Sequence, residues 1–326
     1  MLLNLVEAVD LALARALTED ERVIILGEDV GKNGGVFRAT VGLRERFGHK
    51  RVLDTPLAET LIAGVAVGMS TQGLRPVAEI QFMGFIYAAL EHLISHAARL
   101  RNRTRGRLSC PLTLRVPFGG GIHAPEHHSE STEALLTHIA GLKVVALSSP
   151  RTAYGLLLAA IRCNDPVIVL EPERIYRKFK EDVLDDGQQI DLEQCLVWRK
   201  GKDLTLVAWG AMVQDCLNAA EQLAQQGIDA EVIDVACLKP LDMATIIHSV
   251  ALTGRCIIVQ EAVKSGGLAS DIAARLVDKA FYALRAPIKI ISPPDVIVPY
   301  FKLEQAYLPQ VADIIQASRA LMEGST

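Results

Sequence analysis

Three closely spaced histidines are the first residues in this chain able to do chemistry. His123, His127 and His128 lie in the run Gly119-Gly120-Gly121-Ile122-His123-Ala124-Pro125-Glu126-His127-His128-Ser129-Glu130-Ser131. Its glycines and proline predict a loop. Imidazoles titrate near neutral pH, which gives such a loop acid/base capacity, and the alternative is a polar surface loop. A second candidate is Asp54-Thr55-Pro56-Leu57-Ala58-Glu59-Thr60, which enters a helix with Asp54 or Thr55 as its cap. Glu59 then falls in the first turn, where a carboxylate complements the helix dipole. The run that follows, Leu61 to Met69, is nearly all apolar. A half-buried carboxylate needs a hydrogen-bond partner, and a ligand is one such partner. His92 and His96 stand i,i+4 with Glu91 before them, so this is not HExxH, and ordinary helix residues fit better than a zinc site.

These residues need elements to hold them. The runs 23–27, 77–81, 112–116, 144–147 and 166–171 read as strands, and 5–16, 59–72, 87–100 and 150–161 as helices. The histidine loop leaves the strand that ends at Pro117-Phe118, and α/β proteins bind ligands at such strand ends. Residues 181–203, rich in charges with Asp185-Asp186-Gly187 at a turn, read as a linker. The pattern then restarts, with strands at 204–208, 230–235, 256–260 and 288–291 and helices at 213–226, 268–284 and 310–322. The expectation is two α/β domains, each a doubly wound parallel sheet, at 1–180 and 204–326.

Composition narrows the function classes. The 326 residues fit two domains, and 50% hydrophobic content with 22% charged residues supports well-buried cores. Aromatics are only 5%, so Leu, Ile, Val and Ala must fill those cores. A net charge of −4 argues against a nucleic-acid binder working by phosphate neutralisation. No apolar run approaches the ~18–20 residues that span a bilayer. The start shows no secretion signal, and the six cysteines form no CxxC pair. The expected setting is the cytoplasm, without a membrane partner. Neither GxxxxGK[ST] nor GxGxxG is present, which argues against an NAD or ATP enzyme.

An ordered set of segments resembles a known family. The pieces are Leu26 to Gly31, Asp54 to Glu59, Glu79-Ile80-Gln81-Phe82, Pro117 to Ser131, Asp165-Pro166-Val167, Leu238 to Asp242 and Gln260-Glu261. Together they resemble the beta subunits of thiamine-diphosphate-dependent 2-oxo acid dehydrogenases, most closely the pyruvate dehydrogenase decarboxylating component. The resemblance implies a pyrimidine-binding domain followed by a transketolase C-terminal-like domain. It also implies oxidative decarboxylation of pyruvate with acyl transfer to a lipoyl group. Branched-chain 2-oxo acid and acetoin enzymes share these motifs, and Glu171 to Tyr176 is reminiscent of the branched-chain relatives.

The same resemblance assigns roles. Glu59 would hydrogen-bond the cofactor's aminopyrimidine and favour the tautomer that activates the thiazolium. Phe85 would pack on that ring, with Glu28, Gln81 and Phe82 around it. His128 would face the reacting carbon, with His123 and His127 as second choices. A potassium ion would sit on the main-chain carbonyls of Leu112, Ala160, Ile161, Cys163 and Asp165. Two places depart from the family pattern: Gly84, where many relatives carry an acidic residue, and Ala88 to His92, which lacks the commoner proline.

The magnesium-diphosphate motif, Gly-Asp-Gly with a later Asn, is missing from this chain. The resemblance therefore implies an alpha subunit that holds magnesium and the diphosphate. The active enzyme would be a heterotetramer of two alpha and two beta subunits, served by a lipoyl acyltransferase core. The second domain would dock that core near Glu261 and Lys264. A non-catalytic assembly protein on the same fold is the contrasting expectation.

Overall fold

The computed structural model describes residues 1–324. The first half runs β1 (Leu2–Leu3), α1 (Leu5–Glu19), β2 (Val23–Gly27), α2 (Leu43–Phe47), β3 (Val52–Asp54), α3 (Glu59–Thr71), β4 (Arg75–Glu79), α4 (Leu100–Arg103), β5 (Thr113–Phe118), α5 (Glu133–His138), β6 (Lys143–Ala146), α6 (Pro150–Arg162), β7 (Val167–Pro172) and β8 (Glu181–Asp182). The second continues β9 (Leu196–Arg199), β10 (Leu204–Ala208), α7 (Met212–Ala224), β11 (Ala230–Asp234), β12 (Cys237–Lys239), α8 (Met243–Thr253), β13 (Cys256–Val259), α9 (Leu268–Ala280), β14 (Lys289–Ile291), α10 (Phe301–Tyr307) and α11 (Val311–Glu323).

Two sheets organise the chain. The first has the order β12-β6-β7-β5-β4-β2-β3 and the second β14-β13-β10-β11-β9. Within these two sheets all pairings are parallel except β12 on β6 and β9 on β11, and β1 pairs separately with β8, antiparallel. β2, β5, β7, β10, β11 and β13 are buried along their whole length, which is why they read as continuous apolar runs rather than alternating ones. α1 opens on a capping box: Asn4 Oδ1 accepts from the Glu7 amide at 3.0 Å, and Glu7 Oε2 accepts from the Asn4 amide at 2.8 Å. Its stripe of Leu5, Val9, Ala12, Leu13 and Ala16 is buried, and α1 packs on α6, which begins with a Ser149 cap and Pro150.

Three stretches differ from the sequence reading. Residues 87–100 do not form one α-helix. They pass from a 3₁₀ turn (Met83–Ala89) through a π turn (His92–His96) and a second 3₁₀ turn (Ala97–Arg99) into α4. Apolar periodicity does not separate these helix types, and here the His92 ring lies so close to Gly64 of α3 that a Cβ there would stand 3.1 Å from Nε2. Residues 196–199, within the stretch read as a linker, form β9 on the edge of the second sheet. β12 comes from the second half of the chain but extends the first sheet. The two halves also share one core: Phe118, Leu136 and Leu170 belong with Trp209, Leu238 and Leu268. Trp209 Nε1 donates to the buried Glu133 at 3.0 Å across that seam.

Candidate active site

β3, β2, β4 and β5 are neighbours and run parallel, so their C-terminal ends share one edge of the first sheet. Glu28 follows β2, Glu59 opens α3 after β3, Gln81 and Phe82 follow β4, and Phe85 sits in the next 3₁₀ turn. The histidine loop leaves β5. Residues far apart in sequence thus meet at the edge where parallel sheets place ligands.

The aromatic part of the site is compact. Phe82 and Phe85 stand edge to face at 5.8 Å between ring centroids. The His128 ring lies 4.4 Å from Phe82 and 5.1 Å from Phe85. His128 Nδ1 is buried without a hydrogen-bond partner. Glu28 is only 7% exposed, and its Oε1 also lacks a partner. Burial, followed by the charges of Glu59 and Asp29, pushes the Glu28 carboxyl above the usual carboxylate range. Glu59 is half-buried at the first turn of α3. Two neighbouring carboxyls, an aromatic wall and two unsatisfied polar atoms suit a flat heterocycle with ring donors and acceptors. A thiamine pyrimidine is such a ring, and the residues fit it.

The structure separates the three histidines. His128 faces the phenylalanines. His127 Nδ1 lies 3.4 Å from Glu130, which also accepts from Tyr87 Oη. Burial and that contact push the Tyr87 hydroxyl up to about 12. His123 is exposed and turns toward Glu304, 3.0 Å away. Gly84 now has a physical reason: a Cβ there would stand 2.1 Å from the His127 carbonyl oxygen, so the histidine loop occupies the space where other side chains would go.

The helix cap and the exposure of Glu261 differ from expectation. Neither Asp54 nor Thr55 caps α3, whose N-cap is Ala58 without a side-chain bond. Asp54 instead accepts from the Gly31 amide at 2.6 Å and the Lys32 amide at 3.1 Å, and it pairs with Arg44. Glu261 is 4% exposed and packs against Gly119 and Arg174, so it is no surface docking residue, whereas Lys264 is exposed. At the expected potassium turn, Arg75 Nη1 donates to the carbonyls of Ile161 (3.0 Å) and Cys163 (2.9 Å). The Leu112 carbonyl accepts from Val167 and the Ala160 carbonyl from Cys163, while the Asp165 carboxylate pairs with Arg101 at 2.6 Å.

Sequence reasoning missed the support beneath the site. Arg115 of β5 is 1% exposed and bonds Glu79 of β4 at 2.6 Å and Glu171 of β7 at 2.7 and 3.0 Å. Tyr176 Oη donates to Glu171 at 2.6 Å. Phe37 then bridges this cluster to the pocket, 5.0 Å from Tyr176 and 5.4 Å from Phe82. The available signal was a charge within each of three buried strands, since a buried charge requires a partner. Glu304 gave no such signal.

Comparison with known proteins agrees with this arrangement. The family described as "Transketolase, pyrimidine binding domain" matches residues 3–178, and "Transketolase, C-terminal domain" matches residues 193–314. The chain is 46% identical over 321 residues to the pyruvate dehydrogenase E1 component subunit beta of Bacillus subtilis, covering 98% of this chain and 99% of that one. It is 44% identical to the protein of the same name from Staphylococcus epidermidis, again over 98% of this chain and 99% of the relative. Among solved structures, one titled "Split gene transketolase, inactive beta4 tetramer" superposes with a TM-score of 0.80 at 23% identity, covering 99% of both chains, and shares the fold. With both domain families matched in order and near-full-length identity well above 40%, the chain belongs to the family of pyruvate dehydrogenase E1 component beta subunits.

Proposed function

We propose that this chain is the beta half of a thiamine-diphosphate enzyme that decarboxylates pyruvate and passes the acyl group to the lipoyl group of an acyltransferase core. The observation that carries the reading is the unpartnered Glu28 Oε1 beside Glu59, together with the Phe82–Phe85–His128 aromatic cluster. Glu28, Glu59, Gln81, Phe82 and Phe85 are the residues that would hold the pyrimidine half. Thiamine diphosphate, when bound, supplies the electron sink that a 2-oxo acid needs to lose carbon dioxide.

The chain's own residues then have distinct tasks. Glu59 presents a carboxylate at a helix N-terminus, where negative charge is favoured, and would accept a hydrogen bond from the pyrimidine. Glu28, whose carboxyl is pushed up by burial and by Glu59, holds a proton longer than an exposed glutamate would. Phe82 and Phe85 exclude water and fix the plane of the ring. His128, with Nδ1 free and buried among aromatics, is the group placed to hold or deliver a proton at the reacting carbon.

The site is completed by a partner in this reading. Leu61 (43% exposed) and Val65 (40%) share one face of α3, the helix that Glu59 opens, and Leu57 (81%) lies exposed on its approach. Exposed apolar surface of this kind suits a protein interface. The alpha subunit would cover it and bring magnesium and the diphosphate site, giving a two-alpha, two-beta assembly. Potassium belongs to the same reading at the Leu112, Ala160, Ile161, Cys163 and Asp165 carbonyls. It would share two of them with Arg75, since each carbonyl oxygen has two lone pairs. The cytoplasm is the compartment assigned. The six cysteines are free thiols, and no described helix is long and apolar enough to cross a membrane.

The test is reconstitution. The chain, co-expressed with an alpha subunit of the same enzyme family, is assayed with thiamine diphosphate, magnesium and a lipoyl domain on pyruvate and on 2-oxoisovalerate. Faster turnover of pyruvate supports the reading. Faster turnover of 2-oxoisovalerate assigns the branched-chain reaction instead, and no turnover of either acid overturns the enzyme reading.

A further inference from the structure

The loop that carries His128 begins with three glycines, and the amides of Gly121 and His123 form an anion-accepting concavity. Gly119 and Gly121 have φ of +86° and +96°, and the non-glycine His123 has φ of +62°. Successive amides in such a conformation point to one side and attract an anion. In this chain the concavity is filled from within. Glu304 of α10, in the second half of the chain and 2% exposed, accepts from the Gly121 amide at 2.7 Å through Oε1. Its Oε2 accepts from the His123 amide at 3.2 Å and lies 3.0 Å from His123 Nδ1. One buried carboxylate thus gathers two amide donors from a strained turn, with the His123 ring against it, and the left-handed backbone of His123 is supported where its amide bonds to it.

The far end of the loop is fastened separately. The Gly119 amide donates to the Glu130 carbonyl at 3.0 Å, and the Glu130 carboxylate is held by Tyr87 and His127. His128 lies between the two fastenings, against Phe82 and Phe85. The side of the loop facing Glu304 has no room to relax toward the core. A Cβ on Gly121 would stand 2.8 Å from Arg174, and one on Gly119 would stand 3.2 Å from the Glu261 carboxylate.

We propose that Glu304 is a positioning residue: its carboxylate reaches across from the second domain, caps the amides of Gly121 and His123, and thereby sets the His128 imidazole against the aromatic pocket. The second domain would then act on the chemistry of the first without touching the cofactor. This rests on the function proposed above. It separates two properties of the site. Glu28, Glu59, Phe82 and Phe85, which would hold the pyrimidine, are not on the loop, so loosening the loop should spare cofactor affinity. His128 is on it, so the same loosening should slow turnover, because displacements near 1 Å at a reacting group cost on the order of 100-fold.

The experiment uses the alpha–beta complex with wild-type, Glu304→Gln and Glu304→Asp beta chains. Backbone hydrogen exchange is followed over residues 119–131, alongside kcat with pyruvate and KM for thiamine diphosphate. Glu304→Gln keeps the side-chain size but places an amide donor against donors. It is expected to raise exchange at Gly121 and His123 roughly tenfold or more and to lower kcat about 10–100-fold with KM within about twofold. Glu304→Asp, which keeps the charge, should recover part of the kcat. Unchanged exchange in Glu304→Gln overturns the proposal, as does raised exchange with unchanged kcat. A wild-type complex that turns over no 2-oxo acid would sink the function reading instead. The exchange arm would still decide whether Glu304 holds the loop.

Discussion

A carboxylate at the start of an apolar helix is costly to leave unpartnered, and Glu59 sits there beside a second, buried carboxyl whose Oε1 has no partner. Glu59→Gln keeps the shape and removes the acceptor charge. Turnover of the reconstituted complex is expected to fall about 10²–10⁴-fold with the alpha–beta assembly intact by size exclusion. Retained turnover would point to a non-catalytic chain. Glu173 is a different case. It is 4% exposed, and both its oxygens lack partners. Burial, then the charges of Glu261 and Glu304, push its carboxyl from the usual 4.5 to about 9. The folded chain therefore keeps a proton that the unfolded chain releases. This contribution to stability is complete below about pH 4 and drains away as the pH rises toward 9. Glu173→Gln is expected to raise the thermal midpoint at pH 8 by roughly 2–4 °C and to change it little at pH 5. An equal shift at both pH values would rule out the titration. At this scale Glu59 was visible from the apolar run that follows it, whereas Glu28 and His128 were singled out by the family resemblance. Glu304 stayed hidden, since an acidic residue in a short helix looks solvated until the fold buries it.

The strands are where buried charge and apolar pattern meet. Glu79 of β4 and Arg115 of β5 are paired across the ladder, and Glu171 of β7 completes the cluster from the other side. Removing the cation would leave two carboxylates sealed in the sheet. Arg115→Met is expected to destabilise the chain by about 3–5 kcal/mol, measured by urea unfolding. A loss near zero would mean that the cluster is dispensable. Long buried strands such as β2 and β10 were legible with their limits, because a continuous run of Val, Ile and Leu bounded by Gly or Asp has few other homes. β12 was not, since a strand of three residues carries no period. The 3₁₀ and π turns of residues 83–99 were also illegible, because their winding follows from the packing of His92 on Gly64 and of Gly84 on His127.

At the scale of the whole molecule, two halves share a core while one face beside the site remains apolar and open. Placing a charge on that face, as in Val65→Asp, is expected to abolish co-purification with the alpha subunit while leaving the circular dichroism of the chain unchanged. Persistent association would place the partner elsewhere. The sequence by itself determined the two α/β units, the family and the incomplete cofactor site. Composition, apolar runs and motif order are local properties, and a missing diphosphate motif can be read in one dimension. Tertiary structure alone decided why Gly84 must lack a side chain and that a glutamate near the C-terminus grips the histidine loop. Those facts depend on distances between segments that pack together only after the chain has folded, and linear spacing does not encode such distances.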